Sequence, residues 1–358
     1  MKKLLSLILT AAMCLSLGGC GTKYEKGSTV FMGVFDTVVQ VISYQKNQAE
    51  FEEMADYVET RYRQLNNLYD IYNEYPGINN ICTINKNAGI QPVEVDKQII
   101  ALLLFSKEWE ERSGGKMNIA MGSVLKVWHD VRDEYSAIGT VTLPEYSLLQ
   151  ERAQHTDIDR VVIDAENNTV FITDPQVQLD VGAVAKGYAT ELIGDELVEM
   201  GYDNFAISAG GNVKTYGAPK DDRKRWGIGV QNPAVDENYI SLGGNMDMAY
   251  FNTEMSLVCS GGYQRFFVHE GRRYHHLIDP VTLYPEEVYR GVAVFCPDSG
   301  VADALSTTVF LMEPAAALEL IESIPDTECI LMEMDGTVHT SSGAGAYLAS
   351  RGVTNQTP

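Results

Sequence analysis

Between Phe205 and Phe295 six strand signals follow one another with no amphipathic helix between them: residues 205–208, 226–230, 256–259, 263–268, 273–278 and 291–295. Each is a short run of apolar, aromatic or β-branched residues, and Glu270-Gly271 supplies a hairpin turn between two of them. A doubly wound parallel sheet needs a helical crossover between its strands, and this order denies it one. The chain is therefore expected to be α+β, with mixed sheets and flanking helices. Phe51, Met54, Val58, Tyr62 and Leu65 recur at three or four residues and mark one face of a helix. Asp96 predicts the N-cap of a second helix, which ends near Arg112 before Gly114-Gly115. Ala185, Ala189, Ile193, Leu197 and Met200 mark a third, closed by Gly201, and residues 301–312 and 314–323 predict the last two. Residues 31–44 read as one strand, 161–163 and 170–173 as a hairpin, and a further hairpin turns at Asp335-Gly336. A polar connector is expected over 130–142, leading to a short helix from Pro144.

The first nineteen residues stand apart from this pattern. Lys2 and Lys3 precede an apolar run from Leu4 to Leu17 that is too short to span a bilayer. The run ends in Gly18-Gly19 and Cys20, so residues 1–19 read as a signal peptide. Leu17-Gly18-Gly19-Cys20 resembles a bacterial lipobox, which makes Cys20 the expected lipidated first residue of an exported chain anchored on the outer side of the membrane. A plain secretory signal with an incidental cysteine is the other reading. Residues 20–30 then form a tether, 31–345 the functional domain and 346–358 a frayed tail. The formal charge of −22 repels nucleic acid and anionic headgroups, and leaves a phosphate-bearing substrate in need of a local cation. Cys82, Cys259, Cys296 and Cys329 lie far apart, without the spacing of a zinc site or a CxxC pair.

Four segments carry chemistry. In residues 179–188 a strand ends at Asp180, small residues follow, and a helix begins with Lys186 near its positive end. This suits an anion, and equally a plain strand-to-helix turn. In residues 300–308 Asp303 and Thr307 share one helical face and offer two hard oxygens to magnesium, although an acidic residue there also complements the helix dipole. His275 and His276 alternate across a strand, so at most one serves a given site, and Asp279-Pro280 begins a turn. Gly210-Gly211 permits a tight turn or a close ligand approach.

Together these segments, in this order, resemble the FAD:protein FMN transferases, the ApbE family, over residues 31 to 312. Met32 matches the methionine that opens the family's flavin site, and Tyr72 its flavin-stacking tyrosine, with Tyr69 the weaker match. Residues 117–128 resemble a stretch that contacts FAD, including Asn118, Ile119 and Ala120. Asp180, Ala183 and Lys186 match the family's aspartate, small metal-facing residue and lysine, Ala183 acting through its carbonyl. Asp303 and Thr307 match the remaining magnesium ligands. Residues 256–265 resemble its Thr-Ser-Gly-x-Tyr-x-Arg strand, and His276, Leu277 and the residues to Pro280 its His-x-Ile-Asp-Pro turn. Four positions depart from the pattern: Asn118 where Asp is frequent, Ser123 where Pro is frequent, Cys259 for Thr, and Leu283 for Gly.

The resemblance implies two closely packed halves with FAD in the cleft between them and Mg2+ at its pyrophosphate. A threonine or serine hydroxyl of an acceptor flavoprotein attacks the FMN-side phosphorus and AMP departs. Rnf- or Nqr-type membrane electron-transport subunits are the acceptors it suggests. His276 is the candidate base, because an ordinary histidine pKa near 6.5 suits proton acceptance. The rivals are a magnesium-dependent FAD pyrophosphatase, in which water replaces the hydroxyl, and a non-catalytic flavin-binding lipoprotein.

Overall fold

A computed structural model of the chain describes residues 24–234, 243–263 and 265–351; the signal segment and Cys20 lie outside them. The chain enters as β1 (Glu25–Val34) and β2 (Thr37–Gln45), paired antiparallel, where the sequence suggested one strand. Phe35 and Asp36, at φ 48° and 50°, close a two-residue turn whose left-handed backbone matches strand twist. Because β1 starts at Glu25, most of the segment read as a tether is sheet. Then come α1 (Gln48–Tyr69), α2 (Ile81–Lys86), β3 (Val93–Glu94), α3 (Lys97–Arg112), α4 (Gly122–Ile138) and α5 (Tyr146–Ala153). The side chain of Asp96 accepts the Gln98 amide and caps α3 as expected. The polar connector does not exist as such: α4 runs through residues 130–138 and ends on Gly139. Its outer face is polar because it faces water, which hid the helix from a reading by composition.

The remaining order is β4 (Val161–Asp164), β5 (Thr169–Ile172), α6 (Ala185–Glu199), β6 (Phe205–Ala209), β7 (Asn212–Tyr216), β8 (Trp226–Gln231), β9 (Asn245–Phe251), β10 (Met255–Gly261), β11 (Phe266–His269), β12 (Arg272–His275), β13 (Tyr289–Cys296), α7 (Ser299–Phe310), α8 (Pro314–Glu322), β14 (Glu328–Glu333) and β15 (Val338–Thr340). Eight strands form one sheet in the order β1-β2-β6-β7-β10-β13-β14-β15. Every pairing in it is antiparallel, which suits an α+β fold. Gly210 and Gly211, at φ 55° and 92°, form the β6–β7 turn, so that pair serves the hairpin.

One face of the sheet carries the main core, in which Val39, Val41, Ile207, Val292 and Val294 meet Met54, Val58, Ile193, Leu305 and Val309 of the helices. The other face holds Phe251, Leu257, Phe295, Ile330 and Leu348. The expectation of a frayed tail is corrected for residues 346–351, where Ala349 donates to the Met248 carbonyl at 2.8 Å and Ser350 bonds Asp247; residues 352–358 lie outside the described residues. A smaller body has its own core, built from Val124, Trp128 and Leu149 of α4 and α5 with Phe267 and Tyr274 of the β11–β12 hairpin. Cys82, Cys296 and Cys329 are buried free thiols. Among the described residues no helix is long and apolar enough to cross a membrane.

Candidate active site

The segment leading to Asp180 is held from both sides. Asn85 accepts the Leu179 amide at 2.7 Å and donates to its carbonyl at 2.9 Å, while the Asp180 amide donates to the Ile119 carbonyl at 2.8 Å. The chain then turns, with Asp180 Oδ1 accepting the Gly182 amide, and α6 begins at Ala185. The buried carboxylate of Asp303, on α7, meets this turn: Lys186 Nζ lies 3.1 and 3.3 Å from its two oxygens, and the Gly187 amide donates to Oδ2 at 2.7 Å. Helical continuation would direct that amide to the carbonyl of Ala183. Turned to Asp303 instead, it leaves the Ala183 oxygen outside the helical ladder. Gly187 is required here, because a Cβ would fall inside 3.0 Å of both Asp303 Cβ and the Ser299 carbonyl. Thr307, a half-buried residue, shares the Asp303 face, and its hydroxyl has no hydrogen-bond partner among the described residues.

A carboxylate, a hydroxyl and a carbonyl on one junction form a hard-oxygen donor set, and they fit magnesium. A second acidic group, Glu191, Asp195 and Glu254, is distinct from it, and Lys214 already bridges two of its members.

Asp180 lies beside a shallow recess lined by Trp128, His129, Arg132, Arg265, His276 and Ile278, among others. His129 Nε2 lies 3.9 Å from Asp180 Oδ2, and its Nδ1 lies 3.2 Å from the Tyr72 hydroxyl. Burial holds His129 below the ordinary histidine value, against the pull of Asp180. Desolvation of its hydroxyl, then the Asp180 charge, lifts Tyr72 to about 12, although its ring is largely exposed. Arg132 and Arg265 bring positive charge to the recess of an otherwise acidic protein.

The expectation of two histidines alternating along one strand does not hold, because β12 ends at His275, His276 lies in the bend that follows, and both rings line the recess. His275 is fixed: Nε2 donates to the Glu286 carbonyl at 2.7 Å, Nδ1 accepts the Leu277 amide at 3.2 Å, and the ring packs edge-on to Phe310. His276 has a buried Nδ1 with no partner. Burial first, then the charges of His275, Arg265 and Arg132, push His276 down to about 3, which corrects the expectation of an ordinary pKa. It is a neutral imidazole with a free nitrogen, and a weaker base than its residue type suggests.

Other candidates sit differently. Ile119 and Ala120 are buried in the main core and reach Asp180 through backbone alone. Asn118 spends its amide on the Thr156 carbonyl and its oxygen on the Ala120 amide, and Leu277 is buried. Met32 is 67% exposed on β1, and no described contact joins it to Asp180 or Asp303. Asp279 caps its own turn, accepting the Val281 and Thr282 amides, and is gripped by Lys116 at 2.6 Å. Ser123 bonds the Arg152 and His155 carbonyls, and Leu283 takes φ 63°, a conformation that explains glycine in its place. Sequence reasoning missed His129, Arg132 and Lys116. Leu125, Trp128, His129 and Arg132 fall at i, i+3, i+4 and i+7, a helical stripe that reading α4 as a helix would have exposed.

The ApbE family model matches residues 35–331. A Treponema pallidum protein named FAD:protein FMN transferase is 30% identical over 276 residues, covering 74% of this chain and 73% of its own length. A Haemophilus influenzae protein of the same name is 27% identical over 366 residues, covering 96% of this chain and 97% of itself. Among solved structures, the ApbE protein of Thermotoga maritima superposes with a TM-score of 0.75 at 23% identity, over 91% of this chain and 99% of that one. The flavin transferase ApbE of Vibrio cholerae gives 0.73 at 19% identity, over 90% and 100%. The chain therefore belongs to the ApbE family.

Proposed function

We propose that this chain transfers FMN from FAD to a threonine or serine hydroxyl of an acceptor flavoprotein, with Mg2+ at the FAD pyrophosphate, and releases AMP. The observation that supports the reading is the α6–α7 junction, where the Gly187 amide and Lys186 both bond the Asp303 carboxylate and the Ala183 carbonyl is left without that helical donor. Bound there, Mg2+ supplies a Lewis acid that offsets charge on the pyrophosphate oxygens and the leaving AMP. Lys186 and the N-terminus of α6 attract the same phosphates. His276 accepts the proton of the attacking hydroxyl while the oxygen forms its bond to the FMN-side phosphorus. The bond from that phosphorus to the bridging oxygen breaks, and AMP leaves with the electron pair. The anionic phosphates favour the imidazolium, which raises the basicity that burial holds down.

The recess near Tyr72, His129 and His276 receives the flavin end of FAD in this account. Asp303→Ala should abolish AMP release and FMN transfer while the protein still folds; full activity of that variant in magnesium buffer refutes the assignment. The acceptor we propose is a membrane electron-transport subunit of Rnf or Nqr type, reached from a lipid anchor at Cys20. A Cys20→Ser chain that is still trimmed and bound to membrane would contradict the anchor.

A further inference from the structure

A charged cluster built around one enclosed lysine lies behind the candidate cation site, with Glu254 reaching towards solvent. Lys214, at the centre of β7, is 1% exposed along its side chain. Its Nζ stands 2.9 Å from each carboxylate oxygen of Glu191, 2.7 Å from Glu254 Oε1 and 2.8 Å from the Pro297 carbonyl. Three ammonium protons are thus shared among four acceptors, leaving no donor idle. Glu191 Oε2 also accepts the amide of Ser299, the first residue of α7, at 2.6 Å. Ser299 in turn donates its hydroxyl to Asn212 at 2.7 Å, and its carbonyl packs against Gly187. Burial opposes the Lys214 charge, yet the carboxylates outweigh it and hold the ammonium above its ordinary value. Burial also lifts Glu191, to about 7, against the pull of Lys214.

Removing an ion from water is costly, and a buried pair is often no more stabilising than apolar residues of the same size. Bulk stability therefore explains this cluster poorly. Its connections explain it better. Glu191 lies on α6, one turn beyond Lys186 and Gly187, while Pro297 and Ser299 lead into the helix that carries Asp303 and Thr307. We infer that Lys214 and Glu191 are positioning residues: they fix the start of α7 against α6 and so set the distance between the Asp303 face and the Ala183 turn. The inference rests on the cation site proposed above.

The test uses Mn2+ as a spin-active stand-in, titrated by electron paramagnetic resonance with FAD present, beside thermal midpoints. Four variants are compared with the parent: Asp303→Asn, Glu191→Gln, Lys214→Met, and the double Lys214→Met with Glu191→Leu. Lys214→Met strands the largely buried Glu191 carboxylate and should lower the midpoint. The double variant should regain stability, because the buried charges go together. It should not regain affinity, because the Ser299 amide and the Pro297 carbonyl have lost their partners. Supporting groups around a metal site are typically worth about tenfold to a hundredfold in affinity. We expect a loss of that size in the double variant, and a measurable loss in Glu191→Gln, with FAD affinity without metal unchanged. Should Lys214→Met fail to fold, Glu191→Gln still decides, since it sets an NH2 donor against the Lys214 ammonium or the Ser299 amide where a carboxylate oxygen accepted, and so breaks the link between α6 and α7. Parent-like Mn2+ affinity in Glu191→Gln and in the double variant, with Asp303→Asn inactive in binding, overturns the positioning role alone. A parent that binds no Mn2+, or an Asp303→Asn variant that keeps it, overturns the cation site and this inference with it.

Discussion

Replacing Gly187 by alanine adds one methyl group where α6 and α7 touch most closely. The new Cβ would lie within 3.0 Å of Asp303 Cβ, of the Ser299 carbonyl oxygen and of Asn212 Nδ2, where ordinary contact is 3.4–4 Å. Two of these neighbours cannot swing away: one is backbone, and the other is the stem of a carboxylate already held by the Gly187 amide and Lys186. The helices must separate by about 1 Å, a misplacement that can cost about a hundredfold in rate. Stability changes less, because overpacking of about 1–3 kcal/mol is partly offset by the gain of about 1 kcal/mol for alanine over glycine in a helix. Gly194 on the same helix is the control. A Cβ there meets Lys214 Cε at 3.6 Å, an ordinary contact, so Gly194→Ala should keep its rate and gain stability. The assay is single-turnover AMP release from FAD with Mg2+ and acceptor, beside thermal unfolding. A parent-like rate for Gly187→Ala, or equal losses at the two positions, would refute the claim that the α6–α7 spacing sets the site.

The histidine pair should separate chemistry from stability. His276→Ala should slow transfer by about a hundredfold to ten-thousandfold at saturating FAD, with FAD affinity little changed and the rate recovering as pH rises; a fall in affinity with an unaltered pH profile would mean that the ring only binds. His275 is held neutral by burial at about 4, below the ordinary 6.5. A histidine with a lowered folded pKa binds fewer protons folded than unfolded, so its stabilisation is present above pH 6.5 and lost as pH falls towards 4. The loss amounts to about 3 kcal/mol at one unit per 1.4 kcal/mol. Unfolding by denaturant between pH 7.5 and 4.5 should show it in the parent and a shallower slope in His275→Gln, and equal slopes would contradict the assignment.

Where local pattern and tertiary packing agree, the sequence was readable. The stripe from Phe51 to Leu65, the Asp96 cap and the face from Ala185 to Leu197 appear as expected, because these helices bury their apolar sides in the main core, whereas Met200 sits exposed past the end of its helix. Failures came where tertiary structure overrode a local signal. Phe35 and Asp36 adopt a left-handed turn that neither residue advertises, and Leu348 is pinned by strands a hundred positions earlier in the chain. At the site, Asp180, Lys186 and Asp303 were legible through spacing and resemblance. The pKa of His276 was not, since it depends on burial and on Arg132 and Arg265, which converge only in three dimensions. Nor was Lys214: a lysine inside a strand reads as a solvent-facing residue until its three partners from distant segments surround it.

Group transfer to a protein is the central claim, and mass spectrometry of the acceptor tests it most directly. A flavoprotein subunit of Rnf or Nqr type, freed of covalent flavin, is incubated with this chain, FAD and Mg2+, and the AMP formed is counted alongside. The account predicts an FMN-sized addition on one threonine or serine, AMP released in equal amount, and neither product with Asp303→Ala or with excess chelator. Free FMN and AMP beside an unmodified acceptor would contradict it and make the chain a pyrophosphatase.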